Sequence, residues 1–437
     1  MTKRVSDKSH MLNPFDNGLD ARVAVWSLSA PAIVAVAIAG CGSTRASATP
    51  TPRVAKALSL EARRRSPTAK PTVVAVRRGA SQVPAARQVG SAPSMAPPRR
   101  LSARRPSPDT PSLARMVGQM VVAGMTGTEP DRALLARVRA GQVGGLILYG
   151  DNIESNQQIG RVIEQLQGIA REGGSPPLLI SVDQEGGSVR RFQSAPPISP
   201  RAITTPSQAF SQGAETGSFL RNEGVNVDLA PIADVSSGPD SFEVGQGRGF
   251  NGTSTQVAQL ATAFALGLQS RGVAACAKHF PGVGSLTTDT DDQLGEVTLD
   301  TSKLDQTLTP FADLIRAKVD MVMVASAIYP SLGTTSPADF SPLIINGLLR
   351  RRLGFPAVVI TDALDTPPDL PGATAGGRAV LAAAAGDDII LYAAEQDAAP
   401  AYQAILDATS DGDIPRAQIA GAYRRILALK HKLTLTS

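Results

Sequence analysis

Asp362 ends the apolar run Val358-Val359-Ile360-Thr361 and precedes Ala363-Leu364, a setting that suits a rigidly held carboxylate nucleophile. A second set of carboxylates, Asp289, Asp291 and Asp292, follows Lys278-His279-Phe280-Pro281-Gly282 and the turn after it. Two such groups are the usual equipment for breaking a glycosidic bond. One attacks the anomeric carbon and another protonates the leaving oxygen, about 5 to 5.5 Å apart when a covalent intermediate forms. Each signal alone has a simpler explanation: turns select Gly, Pro, Asp and Thr for backbone reasons, and an Asp at a strand end can cap the turn after it. Other chemistries lack their residues. Between 111 and 437 the only histidines are His279 and His431, too few for a His-rich zinc site. Gly245-Gln246-Gly247-Arg248-Gly249 lacks the strand-then-helix context and the Lys-Ser/Thr of a nucleotide loop. No nucleophile-elbow sequence accompanies His279. No metal and no cofactor are expected.

The elements that must carry these groups repeat along the chain. Apolar runs at 119–125, 145–149, 177–182, 225–229, 273–277, 321–325, 357–360 and 388–392 read as strands, and 131–140, 155–172, 254–270 and 304–318 read as helices between them. The runs lack strict alternation, so they predict parallel strands buried on both faces. Eight such units match a (β/α)8 barrel. A doubly wound open sheet has a similar pattern, but the polar residues favour the barrel. Asp183, Asp228, Asp234, Lys278, His279, Ser326 and Asp362 fall at or just beyond strand ends, and in a barrel those ends meet at one mouth.

With 437 residues and 42% hydrophobic content the chain is long enough for a large core. Its net charge of +5 is unevenly spread: residues 1–41 carry +1, residues 42–110 carry +12 and residues 111–437 carry −8. The first segment has basic residues, an apolar run from 23 to 39 broken by Ser27, Ser29 and Pro31, and then Ile38-Ala39-Gly40-Cys41. This is a secretory layout, short and Ala-rich for a permanent membrane span. Its end resembles a bacterial lipoprotein signal, which implies cleavage before a lipidated Cys41 and anchoring on the outer face of the cytoplasmic membrane; a plain signal peptide or an uncleaved anchor is the alternative. Residues 42–110, rich in Pro, Ala, Ser and Arg, are expected to be a disordered tether. Their basic runs have no interleaved aromatics for base stacking, and with an exported chain no nucleic-acid partner is expected. The folded part is expected to be one domain, 111–437. Cys276 reads as a small buried hydrophobe.

Several ordered motifs in the folded part resemble glycoside hydrolase family 3, most closely its single-barrel β-N-acetylhexosaminidases. They are Val182-Asp183-Gln184-Glu185-Gly186-Gly187-Ser188-Val189-Arg190-Arg191-Phe192, Asn226-Val227-Asp228-Leu229-Ala230-Pro231, Lys278-His279-Phe280-Pro281-Gly282, and Leu349-Arg350-Arg351-Arg352-Leu353-Gly354-Phe355 followed by Thr361-Asp362. The resemblance implies that Asp362 is the nucleophile and that Asp183, Arg191, Arg248, Lys278 and His279 hold the sugar. It also implies a carbohydrate substrate with a β-linked N-acetylhexosamine unit, such as occurs in cell-wall peptidoglycan. The group's loop ends in Asp-Ser-His, whose histidine is the acid/base; here the residues are Asp289-Thr290-Asp291. Val283, Ser188, Ser326 and Ala363 also depart from the group, which often has His, Arg, His and Asp there. Two readings follow. Either Asp291 is the acid/base, its pKa raised by neighbouring carboxylates including Asp289, or the barrel is a catalytically impaired, surface-displayed glycan binder. A transglycosylase or phosphorylase variant is a lesser alternative.

Overall fold

A computed structural model describes residues 111–194, 198–367, 370–372 and 374–435. The expected signal segment 1–41 with Cys41 and the expected linker 42–110 lie outside the described residues.

Eight parallel strands close into a barrel: β1 Val121–Ala123, β2 Gly145–Leu148, β3 Leu179–Val182, β4 Val227–Asp228, β5 Ala274–Phe280, β6 Met321–Val324, β7 Val358–Ala363 and β8 Ile389–Tyr392. Each strand pairs with its neighbours in the chain, and β8 closes on β1 with Val121 opposite Ile390. All four residues of β2, β3, β6 and β8 are buried, as the unbroken apolar runs require. The fold is therefore the (β/α)8 barrel that the repeat pattern predicts, not an open sheet.

Two strands run further than the apolar pattern suggests. β5 continues through Lys278, His279 and Phe280, and β7 through Thr361, Asp362 and Ala363. Both are irregular where the polar residues begin, with register shifts between Ala277 and Phe280 and between Ile360 and Ala363. Lys278, His279 and Asp362 thus sit on the barrel wall itself, not on the loops beyond it. Lys278 is bridged to Ile232, and the N–H groups of His279 and Asp362 are held by the side chains of Asp234 and Asp339.

The helices are set by their caps. Asp131, Ser155, Thr253 and Asp300 each accept a hydrogen bond from a backbone N–H in the first turn, ahead of Arg132–Arg139, Asn156–Glu172, Ser254–Gln269 and Thr301–Arg316. Pro206–Asn222 packs so closely on Ser254–Gln269 that a Cβ at Gly213 would stand 2.2 Å from the Phe264 carbonyl oxygen. At the N-terminal end of the barrel, Asp388 accepts hydrogen bonds from Arg350, Arg425 and the Val359 N–H, tying β7, β8 and two helices together. Buried Lys430 donates to Gln119 Oε1 at 2.6 Å and the Gly144 carbonyl at 2.8 Å. The opposite end is left to carry the site.

Candidate active site

The loops after the strands enclose a cavity of about 490 Å3 at the C-terminal mouth. Asp183, Glu185, Arg191, Arg248, Lys278, His279, Asp289, Asp291 and Asp362 all line it. Every expected catalytic and sugar-holding residue within the barrel is therefore gathered there.

The base of the cavity is an ion network. Lys278 Nζ lies 2.7 Å from Asp183 Oδ1 and 2.6 Å from Glu185 Oε1. Arg191 donates to the other Asp183 oxygen at 3.1 Å, and Arg248 grips Glu185 through Nε at 2.6 Å and a second nitrogen at 2.9 Å. Burial alone would raise both carboxyls, but Lys278 and Arg191 hold Asp183, and Arg248 and Lys278 hold Glu185, below the usual carboxylate range. Burial would likewise lower Lys278, yet Asp183 and Glu185 raise it, so the amine stays charged. The result is a preorganised set of donors and acceptors suited to vicinal hydroxyls. Glu185, fully enclosed by this network, belongs to the site although it was not singled out from its motif.

The hairpin Gln184–Gly186 with Val189–Arg190 places Glu185 and Arg191. Its hinge is Gln184, whose side chain accepts from the Arg191 and Phe192 N–H groups and donates to the Phe192 carbonyl. Gly187 has φ +63°, and a Cβ there would meet the Gly247 carbonyl oxygen at 2.5 Å, so a side chain would push away the turn that carries Arg248. Asp228 is not a mouth residue as its strand-end position suggested. Its Oδ1 accepts the Gln184 N–H, and burial pushes its carboxyl up to about 8, so it anchors the hairpin as a buried acid.

His279 is held from behind. Its Nδ1 lies 2.9 Å from Asp234 Oδ2 and 3.5 Å from Glu243 Oε1. Burial would lower its pKa, but Asp234 and Glu243 raise it to about 10, so the ring enters the cavity as an imidazolium. Burial and the neighbouring Asp234 push Glu243 up to about 8. Asp234, Glu243 and His279 have ligand atoms within 4.8 Å of one another and are a group that could hold a metal ion. The metal-free expectation overlooked them because they come from three separate segments. The 2.9 Å Asp234–His279 contact already satisfies the ring as a hydrogen-bonded pair.

Asp362 Oδ1 accepts the N–H of Ala363 at 2.9 Å. Burial raises its carboxyl, and the charges of His279 and Lys278 offset part of the rise. Behind it, buried Asp339 accepts from the Asp362 N–H at 3.4 Å and from Ser326 Oγ at 2.7 Å. Burial pushes Asp339 up to about 8. Ser326, expected at the mouth, is spent on this contact.

The acidic loop that follows β5 lines the same cavity as the nucleophile. Backbone bonds from Ser237 to the Gly284 carbonyl and from Phe242 to the Leu286 carbonyl anchor its first half, and pairing of Gly295–Glu296 with Ala327–Ile328 anchors its end. Asp289 Oδ1 accepts the Asp291 N–H at 3.1 Å, and its other oxygen stands 3.9 Å from Arg248. Asp291 keeps an exposed outer surface while lining the cavity. Partial burial, then the like charges of Asp362 and Asp289, push its carboxyl up to about 6, and a 2.9 Å hydrogen bond from Thr366 offsets part of that. Tyr149, also unforeseen, lines the cavity with its ring 5.0 Å beneath the Arg191 guanidinium.

A barrel whose mouth couples two carboxylates beside a dense polar network is the layout of a sugar-cleaving barrel enzyme. The profile of the Glycosyl hydrolase family 3 N-terminal domain matches residues 112–429. The chain belongs to that family and is a glycosyl hydrolase. It is 34% identical over 336 residues to an uncharacterized secreted glycosyl hydrolase of Arthroderma benhamiae, covering 74% of this chain and 94% of that one. It is 34% identical over 320 residues to a beta-hexosaminidase of Idiomarina loihiensis, covering 69% and 89%. Among solved structures, a family 3 beta-N-acetylglucosaminidase from Paenibacillus sp. superposes with TM-score 0.72 at 34% identity, over 75% of this chain and 64% of that one. A beta-N-acetylhexosaminidase from Beutenbergia cavernae has TM-score 0.68 at 31% identity, over 74% and 99%.

Proposed function

We propose that the chain is a retaining β-glycosidase that removes β-linked N-acetylhexosamine units, with cell-wall peptidoglycan as the natural polymer. Asp362 attacks the anomeric carbon while Asp291 gives its proton to the leaving oxygen, forming a glycosyl-aspartate. Asp291, now ionised, takes a proton from water, which attacks the same carbon and frees Asp362. Asp183, Arg191, Arg248, Lys278 and His279 hold the sugar hydroxyls, Glu185 keeps Lys278 and Arg248 in place, and Asp289 helps keep Asp291 protonated. The observation that carries this reading is Asp291 lining one cavity with Asp362, its carboxyl raised by burial and then by that neighbour. The beta-hexosaminidase relatives support the N-acetylhexosamine unit of this reading.

A 2-fluoro sugar with a good leaving group should add one glycosyl mass to Asp362. Intact mass unchanged while the sugar still binds would instead favour the glycan-binding reading, which the charged network at the cavity base would serve without turnover. We also propose export and membrane anchoring through Cys41. The mature protein should then begin at a lipidated Cys41, and Cys41→Ala should be lost from membranes; an unmodified N-terminus would contradict the anchor.

A further inference from the structure

Thr366 stands at the far end of the turn that leaves β7, four residues after Asp362. Its Oγ1 lies 2.9 Å from Asp291 Oδ1 and 3.1 Å from the Ala363 carbonyl oxygen. A threonine hydroxyl has one proton and two lone pairs, so it cannot donate to both acceptors at once. The two contacts correspond to two protonation states of Asp291. When Asp291 is ionised, Thr366 donates to it. When Asp291 carries its proton and no leaving oxygen is present to take it, Asp291 donates to Thr366 Oγ1, whose own proton turns to the Ala363 carbonyl; as the proton passes to the leaving oxygen, the hydroxyl turns back to donate to the new carboxylate. Thr366 Oγ1 and Asp291 Oδ1 are paired either way, with little more than a rotation about the Thr366 Cβ–Oγ1 bond between the states. A side chain that only donates or only accepts would serve one state and oppose the other.

The same turn holds the nucleophile. The Ala363 N–H donates to Asp362 Oδ1, and the Ala363 carbonyl accepts from the Thr366 backbone N–H as well as from its hydroxyl. One residue, Ala363, therefore links the place of Asp362 to the place of Thr366, and through it to Asp291. Asp291 comes from a different loop and has no other side-chain hydrogen bond among the described residues.

We propose that Thr366 is the positioning residue of proton transfer: it fixes Asp291 relative to Asp362 and exchanges hydrogen-bond roles with it as Asp291 gives up and recovers its proton. The inference rests on Asp291 being the acid/base. The titratable groups that act most on Asp291 are Asp362 from β7, Asp289 from its own loop and His279 from β5, with Tyr149 after β2 and the network of Asp183, Glu185, Arg191, Arg248 and Lys278 lining the same cavity. Burial and the two carboxylates favour its acid form; Thr366 and His279 favour the ionised form.

The test compares Thr366→Val, Thr366→Ala and Thr366→Ser on a β-linked N-acetylglucosamine disaccharide and on an activated aryl β-N-acetylglucosaminide. Without the hydroxyl both forms of Asp291 lose a partner, but the charge-assisted bond to the ionised form is the stronger, so the alkaline limb of kcat/KM should move up by about half to one pH unit. With Asp291 no longer held, kcat on the disaccharide should fall about tenfold or more, against a smaller loss on the aryl glycoside and little change in KM. Thr366→Ser should restore both limb and rate, and labelling of Asp362 by the 2-fluoro sugar certifies each variant as folded. If Val and Ala leave limb and rate ratio in place while Asp291→Asn abolishes the limb, Thr366 is structural and the proposal fails alone. If Asp291→Asn also leaves the limb in place, the acid/base reading fails and this proposal goes with it.

Discussion

The charge state of Asp291 makes the sharpest prediction. Cleavage of the glycosidic bond needs Asp291 protonated, and burial with its two carboxylate neighbours sets that proton at about 6. The protonated fraction then falls from about one half at pH 6 to about one hundredth at pH 8, so kcat/KM should drop about tenfold per unit on the alkaline side. Asp291→Asn should erase that limb. It should also slow a disaccharide by about 10²- to 10⁴-fold, with a far smaller loss on an aryl glycoside whose phenolate leaves without help. Azide should then restore turnover of the aryl glycoside, because it attacks the glycosyl-aspartate without needing a base and releases a glycosyl azide. Asp289→Asn removes a like charge and should move the limb down. The assay is kcat/KM from pH 4 to 9 for a series of leaving groups. Equal losses for good and poor leaving groups, or a limb that survives Asp291→Asn, would refute the assignment.

Other outcomes follow from the buried groups. Lys278→Met leaves Asp183 and Glu185 with only Arg191 and Arg248, so it should cost about 3 kcal/mol or more in a chemical denaturation curve and sharply raise KM for the sugar. Asp339 is raised to about 8, so the native state holds its proton longer than the unfolded chain. Stability from that proton is full below about 4 and is lost as pH rises through about 8. Asp339→Asn should therefore keep near wild-type turnover at pH 6 and show a shallower fall in Tm above it. Lys430 is lowered to about 7 by burial, so wild-type stability gains as pH rises from about 7 to 10.5. Lys430→Met should compare best with wild type below pH 7 and progressively worse above it; a pH-independent difference in Tm would contradict the burial argument.

The barrel was legible because its strands are buried on both faces, which leaves runs such as Leu146-Ile147-Leu148 and Met321-Val322-Met323-Val324 with no polar face. Pattern reading stopped short on β5 and β7 because Lys278, His279 and Asp362 look like loop residues until their partners are known. The helix Pro206–Asn222 was not among the segments read as helical. Its Gly213 and Gly217 weaken local propensity, and their benefit is contact with the neighbouring helix Ser254–Gln269, which appears only in the fold. Strand-end position alone misread Asp228 and Ser326, whose side chains serve the hairpin and Asp339 instead of the cavity. Glu185 carried a usable signal, since it follows Asp183 by two residues in the same motif. Glu243 and Tyr149 carried none.

By itself the amino-acid order decided the number of barrel units, the nucleophile candidate and the loop that brings a carboxylate to it, because apolar periodicity and motif spacing are local properties. The three-dimensional arrangement decided the charge on each group: Asp183 and Glu185 ionised between cations, His279 protonated between acids, Asp339 neutral in the wall, Asp291 poised near 6. A side chain's proton depends on burial and on charges a few ångströms away. Those neighbours lie scores of residues distant along the chain and come together only when the barrel closes.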